Sequence, residues 1–131
     1  MTTQSESSKI LIIDDDPLIL RLMDEVLKTK GYEILIASEA ASGLEMAIKK
    51  NPDLIILDVM MPIINGYNIC RLLKKEVGMR DVPIIFLTCR SEEDDRRIGE
   101  QVGADAYLPK PFNTPDLLLK IEELLKSRVR R

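Results

Sequence analysis

Histidine is missing from the sequence altogether. Its absence removes the Ser-His-Asp triad, histidine general base catalysis and histidine-ligated metals, so any chemistry must run on carboxylates, hydroxyls and lysine. Cysteine is scarce. Cys70 and Cys89 sit in apolar or small-residue surroundings without CxxC spacing, which argues against a zinc site and makes reduced intracellular thiols the expectation. No apolar run approaches the length of a membrane span, and the polar stretch 1–8 lacks the apolar centre of a signal peptide, so a soluble cytoplasmic protein is expected. A net charge of −3 leaves no basic field to hold a nucleic acid. The 131 residues suit one domain with a sizeable core and leave no room for a second.

What the chain does have is a series of short apolar runs, each followed by a polar residue. Leu54, Ile55, Ile56 and Leu57 fit a strand buried on both faces of a parallel sheet, with Asp58 at its carboxyl end and Pro62 bounding the loop. Residues 9–13 read as an earlier strand closed by Asp14, Asp15 and Asp16, and 32–38 as a second, centred on Ile34 to Ile36. Residues 83–87 lead into Thr88, and 106–108 into Lys110 and Pro111.

Helical signals fill the gaps. Pro17 opens a helix with a stripe of Leu18, Leu22, Val26 and Leu27, ended by Gly31. A second spans 39–50 with Ala40, Leu44, Ala47 and Ile48 on one face, broken at Asn51-Pro52. Asn65 can cap a third over 66–77 that turns Ile69, Leu72 and Leu73 inward. Ser91 can cap a fourth, thinly apolar helix that buries little beyond Ile98 and Val102 and closes at Gly103. Thr114 as cap and Pro115 at the first position open the last, with Leu117, Leu118, Ile121, Leu124 and Leu125 as its core stripe. Five strands alternating with five helices predict a (βα)5 doubly wound, flavodoxin-like fold, a parallel sheet in order 2-1-3-4-5 with helices on both faces. The domain is read as 9–127, with a disordered tail at 1–8 and a basic tail or the start of a linker at 128–131.

Ligands of such sheets collect outside the carboxyl ends of the strands, where strand order reverses. An isolated Asp58 would read more readily as a capping loop aspartate, but Asp14, Asp15, Thr88 and Lys110 all fall at the same edge. Three neighbouring carboxylates repel one another and raise each other's pKa values, so the cluster calls for cations. Lys110 supplies one charge, and a hard divalent ion that keeps several waters, Mg²⁺ rather than Ca²⁺, supplies the rest. Such Mg²⁺ sites typically share the ion with a phosphate. Asp58 is then the nucleophile, Lys110 and Mg²⁺ stabilise the equatorial oxygens, and Thr88 can donate a hydroxyl hydrogen bond to one of them.

The set Asp14-Asp15, Asp58, Thr88 and Lys110-Pro111, each just past its strand, resembles the receiver domain of two-component response regulators from Lys9 to about Ser127. The resemblance implies that Asp14 and Asp15 bind Mg²⁺ together with Asp58 and the backbone carbonyl of Met60. It implies that Asp58 accepts a phosphoryl group from a sensor histidine kinase or phosphotransfer protein, or from a small donor such as acetyl phosphate. A cis Lys110–Pro111 bond and a switch pairing Thr88 with Tyr107 follow from the same likeness. The signal would leave through the face made by the fourth helix, the fifth strand and the last helix, toward an effector domain or protein. Asp94, Arg96, Asp105, Asp116 and Lys120 give that face charges of both signs and leave open a homodimer, although Ala106 stands where an acidic residue is often used. No direct nucleic acid or membrane binding is implied, and no turnover of an external substrate. Cys89, after Thr88, is larger than the family's usual small residue, while Met60 and Arg90 flank the mouth of the site.

Two rival readings lose on single positions. A Mg²⁺-dependent phosphatase with an aspartyl intermediate typically needs a second acid two residues after the nucleophile, where this chain has Met60. A flavodoxin-like cofactor binder needs a hydroxyl- or glycine-rich phosphate loop after the first strand, where this chain has three aspartates.

Overall fold

The computed structural model describes residues 8–61, 66–76, 78–88 and 103–129. Five strands, β1 (Lys9–Ile13), β2 (Glu33–Ala37), β3 (Leu54–Asp58), β4 (Ile84–Thr88) and β5 (Ala106–Pro109), form one sheet in the order β2-β1-β3-β4-β5. All four pairings are parallel. The helices are α1 (Pro17–Lys28), α2 (Ala40–Lys50), α3 (Gly66–Lys75) and α4 (Thr114–Val129). The predicted sheet order is the observed one. The helix expected at 91–102 lies outside the described residues, as do Asn65, Cys89 and Arg90.

Alternation along each strand sends side chains to two separate cores. Ile10, Ile12, Leu54, Ile56, Ile85 and Leu87 face α1 and α4, meeting Met23, Leu27, Leu117 and Ile121. Leu11, Ile13, Ile55, Leu57, Ile84 and Phe86 face the other way, toward Ala47 of α2 and Ile69, Cys70 and Leu73 of α3. Every residue of β3 and β4 is buried, which is why these runs are unbroken apolar sequence rather than alternating. Burying one such Ile or Leu contributes about 1.5–3 kcal/mol, and the central strands hold most of them. Among the described residues no helix is long and apolar enough to cross a membrane.

The helix faces differ from the stripes read in the sequence. In α1 the buried residues are Ile19, Leu20, Met23 and Leu27, while Leu18 and Leu22 are 60% and 40% exposed. Helix α1 is apolar on more than one side, so two stripes compete, and docking on the sheet chooses the one containing Met23. In α2, Gly43 takes the inward place beside Ala40 and Ala47, because a Cβ there would lie 2.7 Å from Ile13 Cδ1, and Ile48 turns outward at 44% exposure. In α3, Leu72 is also 44% exposed, and Tyr67 and Cys70 join Ile69 and Leu73 inside. The last helix begins one residue early: Thr114 is already helical, and the Asp116 N–H donates to Asn113 Oδ1 at 3.0 Å, so Asn113 is the capping side chain. Asn51, at the end of α2, holds a left-handed φ of 52° and turns the chain into β3.

Candidate functional site

Strand order reverses between β1 and β3, and the residues that leave these two strands meet there. Asp14 is fully buried, tied to the sheet by its N–H donating to the Ala37 carbonyl at 3.1 Å. Its Oδ1 accepts from the Asp16 N–H at 2.8 Å, which folds the chain back into α1, where Asp16 Oδ1 in turn caps Leu18 N at 3.0 Å. Asp16 is thus the helix cap. Asp58 ends β3 almost fully buried, and its Oδ1 accepts from the Met60 N–H at 3.1 Å. Asp15 is exposed at the mouth, yet one carboxylate oxygen from each of Asp14, Asp15 and Asp58 lies within 4.8 Å of the others.

Lys110 arrives from the far side. Its N–H donates to the Thr88 carbonyl at 2.9 Å, and the Lys110–Pro111 peptide is cis. Its Nζ sits 3.0 Å from Asp14 Oδ2 and 3.4 Å from Asp58 Oδ2. Three carboxylates against one ammonium leave an excess of two negative charges. Among the described residues the buried Asp14 Oδ2 has the Lys110 ammonium at 3.0 Å and no hydrogen-bond donor besides it. An oxygen-only donor set with buried lone pairs to spare and that excess charge fits a hard divalent cation.

The electrostatics carry the same message. Burial, then the neighbouring Asp14 charge, pushes the Asp58 carboxyl up to about 6, against the opposing pull of the Met60 N–H and Lys110. Burial works to lower the Lys110 pKa, but Asp14 and Asp58 outweigh it and the ammonium is held above its ordinary value.

The structure therefore brings together Asp14, Asp15, Asp58 and Lys110, with the exposed Met60 beside them at the rim. Thr88 is buried at the end of β4, one residue beyond Leu87, the register partner of Asp58. Tyr107 pairs in register with Phe86, and its ring lies against that side chain, on the apolar side of the sheet that faces α3. Sequence reasoning missed two residues. A Cβ on Gly66 would drive well inside contact distance of the Asp58 carbonyl oxygen, and the Gly66 N–H donates to the Val59 carbonyl at 3.0 Å, so α3 starts pressed against the strand end that bears Asp58. Asp105, expected among the charges of the outer face, is exposed and also ties β5 to its neighbours: its Oδ2 accepts from the Ile84 N–H at 2.8 Å and lies 3.4 Å from Lys74 Nζ. Only the glycine had a local signal, as the residue after a candidate cap.

Sheet order and acid pocket together define a flavodoxin-like protein with a cation-seeking site at the carboxyl edge of its sheet. Residues 10–122 match the response regulator receiver domain, and the chain belongs to that family. It is similar to the probable transcriptional regulator ycf27 of Porphyra purpurea, 41% identical over 123 residues that cover 94% of this chain and 49% of that protein. It is similar also to the DNA-binding dual master transcriptional regulator RpaA of Synechocystis, 37% identical over 90% of this chain and 49% of that one. The chain spans about half the length of these relatives. Among solved structures, a CheY-like receiver domain from Methanospirillum hungatei superposes with a TM-score of 0.88 at 31% identity, covering 95% of this chain and 98% of that one. The receiver domain of a Pseudomonas aeruginosa sensor histidine kinase, solved with magnesium coordinated in its active-site cleft, superposes at 0.84 with 27% identity, over 92% and 98% of the two chains. Response regulator receiver domains are signalling proteins that bind Mg²⁺ at an acidic pocket, and the acid cluster here is Asp14, Asp15 and Asp58.

Proposed function

We propose that this domain is a phosphorylation-dependent switch of a two-component phosphorelay, with Asp58 as the phosphoacceptor. The observation that carries the reading is the buried Asp58 carboxylate held between Asp14 and Lys110 at the switch point of the sheet. Asp14, Asp15, Asp58 and the Met60 carbonyl would hold Mg²⁺, which when bound supplies positive charge to the phosphoryl oxygens. One Asp58 oxygen attacks the phosphorus of a phosphohistidine on a sensor kinase or phosphotransfer protein; the O–P bond forms as the P–N bond breaks, and the imidazole leaves with the bonding pair. Asp14 keeps Lys110 at the mouth, ready to pair with a phosphoryl oxygen. Thr88 donates its hydroxyl to another, and Tyr107 follows it inward. The acyl phosphate adds about 1.5–2 negative charges, taking other phosphoresidues as the guide, and this is the bias that shifts the domain between two arrangements.

The switch unit is residues 9–127, with 1–8 and 128–131 as flanking segments, the latter leading on as a tail or linker. The named relatives are transcriptional regulators about twice as long, which supports an effector domain or protein as the downstream partner, reached through β5, α4 and the segment at 91–102 and served in the cytoplasm. Dimerisation through that face is the version suited to a transcription factor, and the domain itself contacts neither nucleic acid nor membrane.

Radiolabelled acetyl phosphate or a phosphorylated kinase, offered with Mg²⁺, labels the parent protein and leaves Asp58→Asn unlabelled; chelation of the metal abolishes the label. Equal labelling of the variant would sink the assignment.

A further inference from the structure

Three aromatic rings form an unbroken line beneath the site. Tyr107 of β5 lies edge-to-face on Phe86 of β4, with centroids 6.0 Å apart and planes at 72°. Phe86 in turn lies edge-to-face on Tyr67 in the first turn of α3, at 5.3 Å and 73°. Phe86 is fully buried, Tyr67 nearly so, and Tyr107 is only half-buried. The middle ring is therefore enclosed by close packing on all sides, whereas the Tyr107 end reaches solvent.

Each ring is also tied to the acid pocket through the backbone. Tyr107 precedes Lys110 by three residues, and Phe86 precedes Thr88 by two. Tyr67 follows Gly66, whose backbone is pressed against the Asp58 carbonyl and bonded to Val59. A displacement of the Tyr107 ring opens a gap at the edge of Phe86 that close packing does not leave unfilled, and the next ring in line is Tyr67.

We propose that Tyr107, Phe86 and Tyr67 form a relay through which the state of the Asp58 pocket reaches the first turn of α3, giving the domain a second responsive surface on the α2–α3 side of the sheet. The link to phosphorylation rests on the function proposed above; the ring coupling does not. Phe86 is here a positioning residue that holds one tyrosine answerable to the other.

The chain has three tyrosines and no tryptophan, so biosynthetic 3-fluorotyrosine gives three fluorine resonances, assigned by single Tyr→Phe variants. Tyr32 packs on the opposite core and serves as the internal control for folding. Without any phosphodonor, Tyr107→Leu shifts the Tyr67 resonance and leaves Tyr32 in place. In a Phe86→Met background, which replaces the ring by a somewhat smaller, flexible apolar side chain, the same substitution no longer moves Tyr67. With acetyl phosphate and Mg²⁺, the Tyr67 and Tyr107 resonances of the parent move together, and in Phe86→Met the Tyr67 response is lost while Asp58 is still labelled. A Tyr67 resonance indifferent to Tyr107→Leu, or one that responds equally with Phe86 replaced, overturns the relay. A Tyr107 resonance that ignores acetyl phosphate overturns the switch reading instead, and the donor-free cycle still decides the coupling. If Phe86→Met displaces Tyr32, Phe86→Leu takes its place under the same criteria.

Discussion

Burying the Asp58 carboxylate costs free energy, and the cost has a sign that titration can read. Its folded pKa of about 6 stands above the value of about 4 expected for an unfolded chain, so between these the folded state binds the extra proton. In metal-free protein the Asp58 penalty is fully present above pH 6 and is relieved as pH falls toward 4, with a slope of up to about 1.4 kcal/mol per pH unit. Lys110 does not confuse the profile: its pKa is raised, so its contribution is constant throughout the neutral range and is lost only when the ammonium titrates in alkali. Denaturant unfolding in chelator should show the parent gaining stability from pH 7 to pH 5, and Asp58→Asn more stable at pH 7 by about 1–3 kcal/mol with a flatter profile. A variant less stable than the parent at pH 7 contradicts this account. At this scale the cluster of Asp14, Asp15, Asp58 and Lys110 was legible because each lies just past the apolar run of a strand. That Asp14 is buried and Asp15 exposed was not legible, since it depends on how the loop turns after β1.

The helices show where pattern reading stops. Helix α1 offers one apolar line through Leu18 and Leu22 and another through Ile19, Met23 and Leu27, and nothing local ranks them. The sheet does, by accepting whichever line interdigitates with Ile10 and Ile12. Leu22→Lys should therefore change stability by less than about 0.5 kcal/mol, while Met23→Ala, one residue on, costs about 2–5 kcal/mol in the same unfolding assay. The reverse ranking would restore the stripe expected from sequence. Helix α3 makes a second case. Gly66→Ala sets a Cβ against backbone, which yields less readily than a side chain, and the result should be a loss of about 1–3 kcal/mol or more together with weakened Mg²⁺ binding, because the Asp58–Met60 segment must shift. Gly43→Ala meets the Ile13 side chain first, with no backbone atom among its nearest neighbours, and should lower stability without touching Mg²⁺ affinity. Comparative metal titrations of the two alanine variants separate the cases.

For the molecule as a whole, the doubly wound parallel sheet was legible because five apolar runs are separated by helix-length segments, whereas the order 2-1-3-4-5 was the natural choice among doubly wound orders, and the family likeness carries the same order. The two packed cores followed from the continuous burial of β1, β3 and β4, whose successive side chains point to opposite faces of the sheet. A ligand that binds only the folded state stabilises it by mass action, so Mg²⁺ at about 100 times its dissociation constant should add about 2.7 kcal/mol to the unfolding free energy. Chelator should reverse the gain, and Asp14→Ala should abolish it, as measured by thermal shift across a Mg²⁺ series.

The Lys110 contact has a temporal side. Asp14 and Asp58 lie on neighbouring strands near the middle of the sheet, whereas their counter-charge comes from beyond β5, at its edge and late in the chain. Once β1 and β3 pair, their acids lie side by side and repel one another until β5 docks and delivers the ammonium. A nascent or partly frayed copy thus has the acid cluster without its ammonium, and the complete pocket is reserved for molecules whose edge strand is in place.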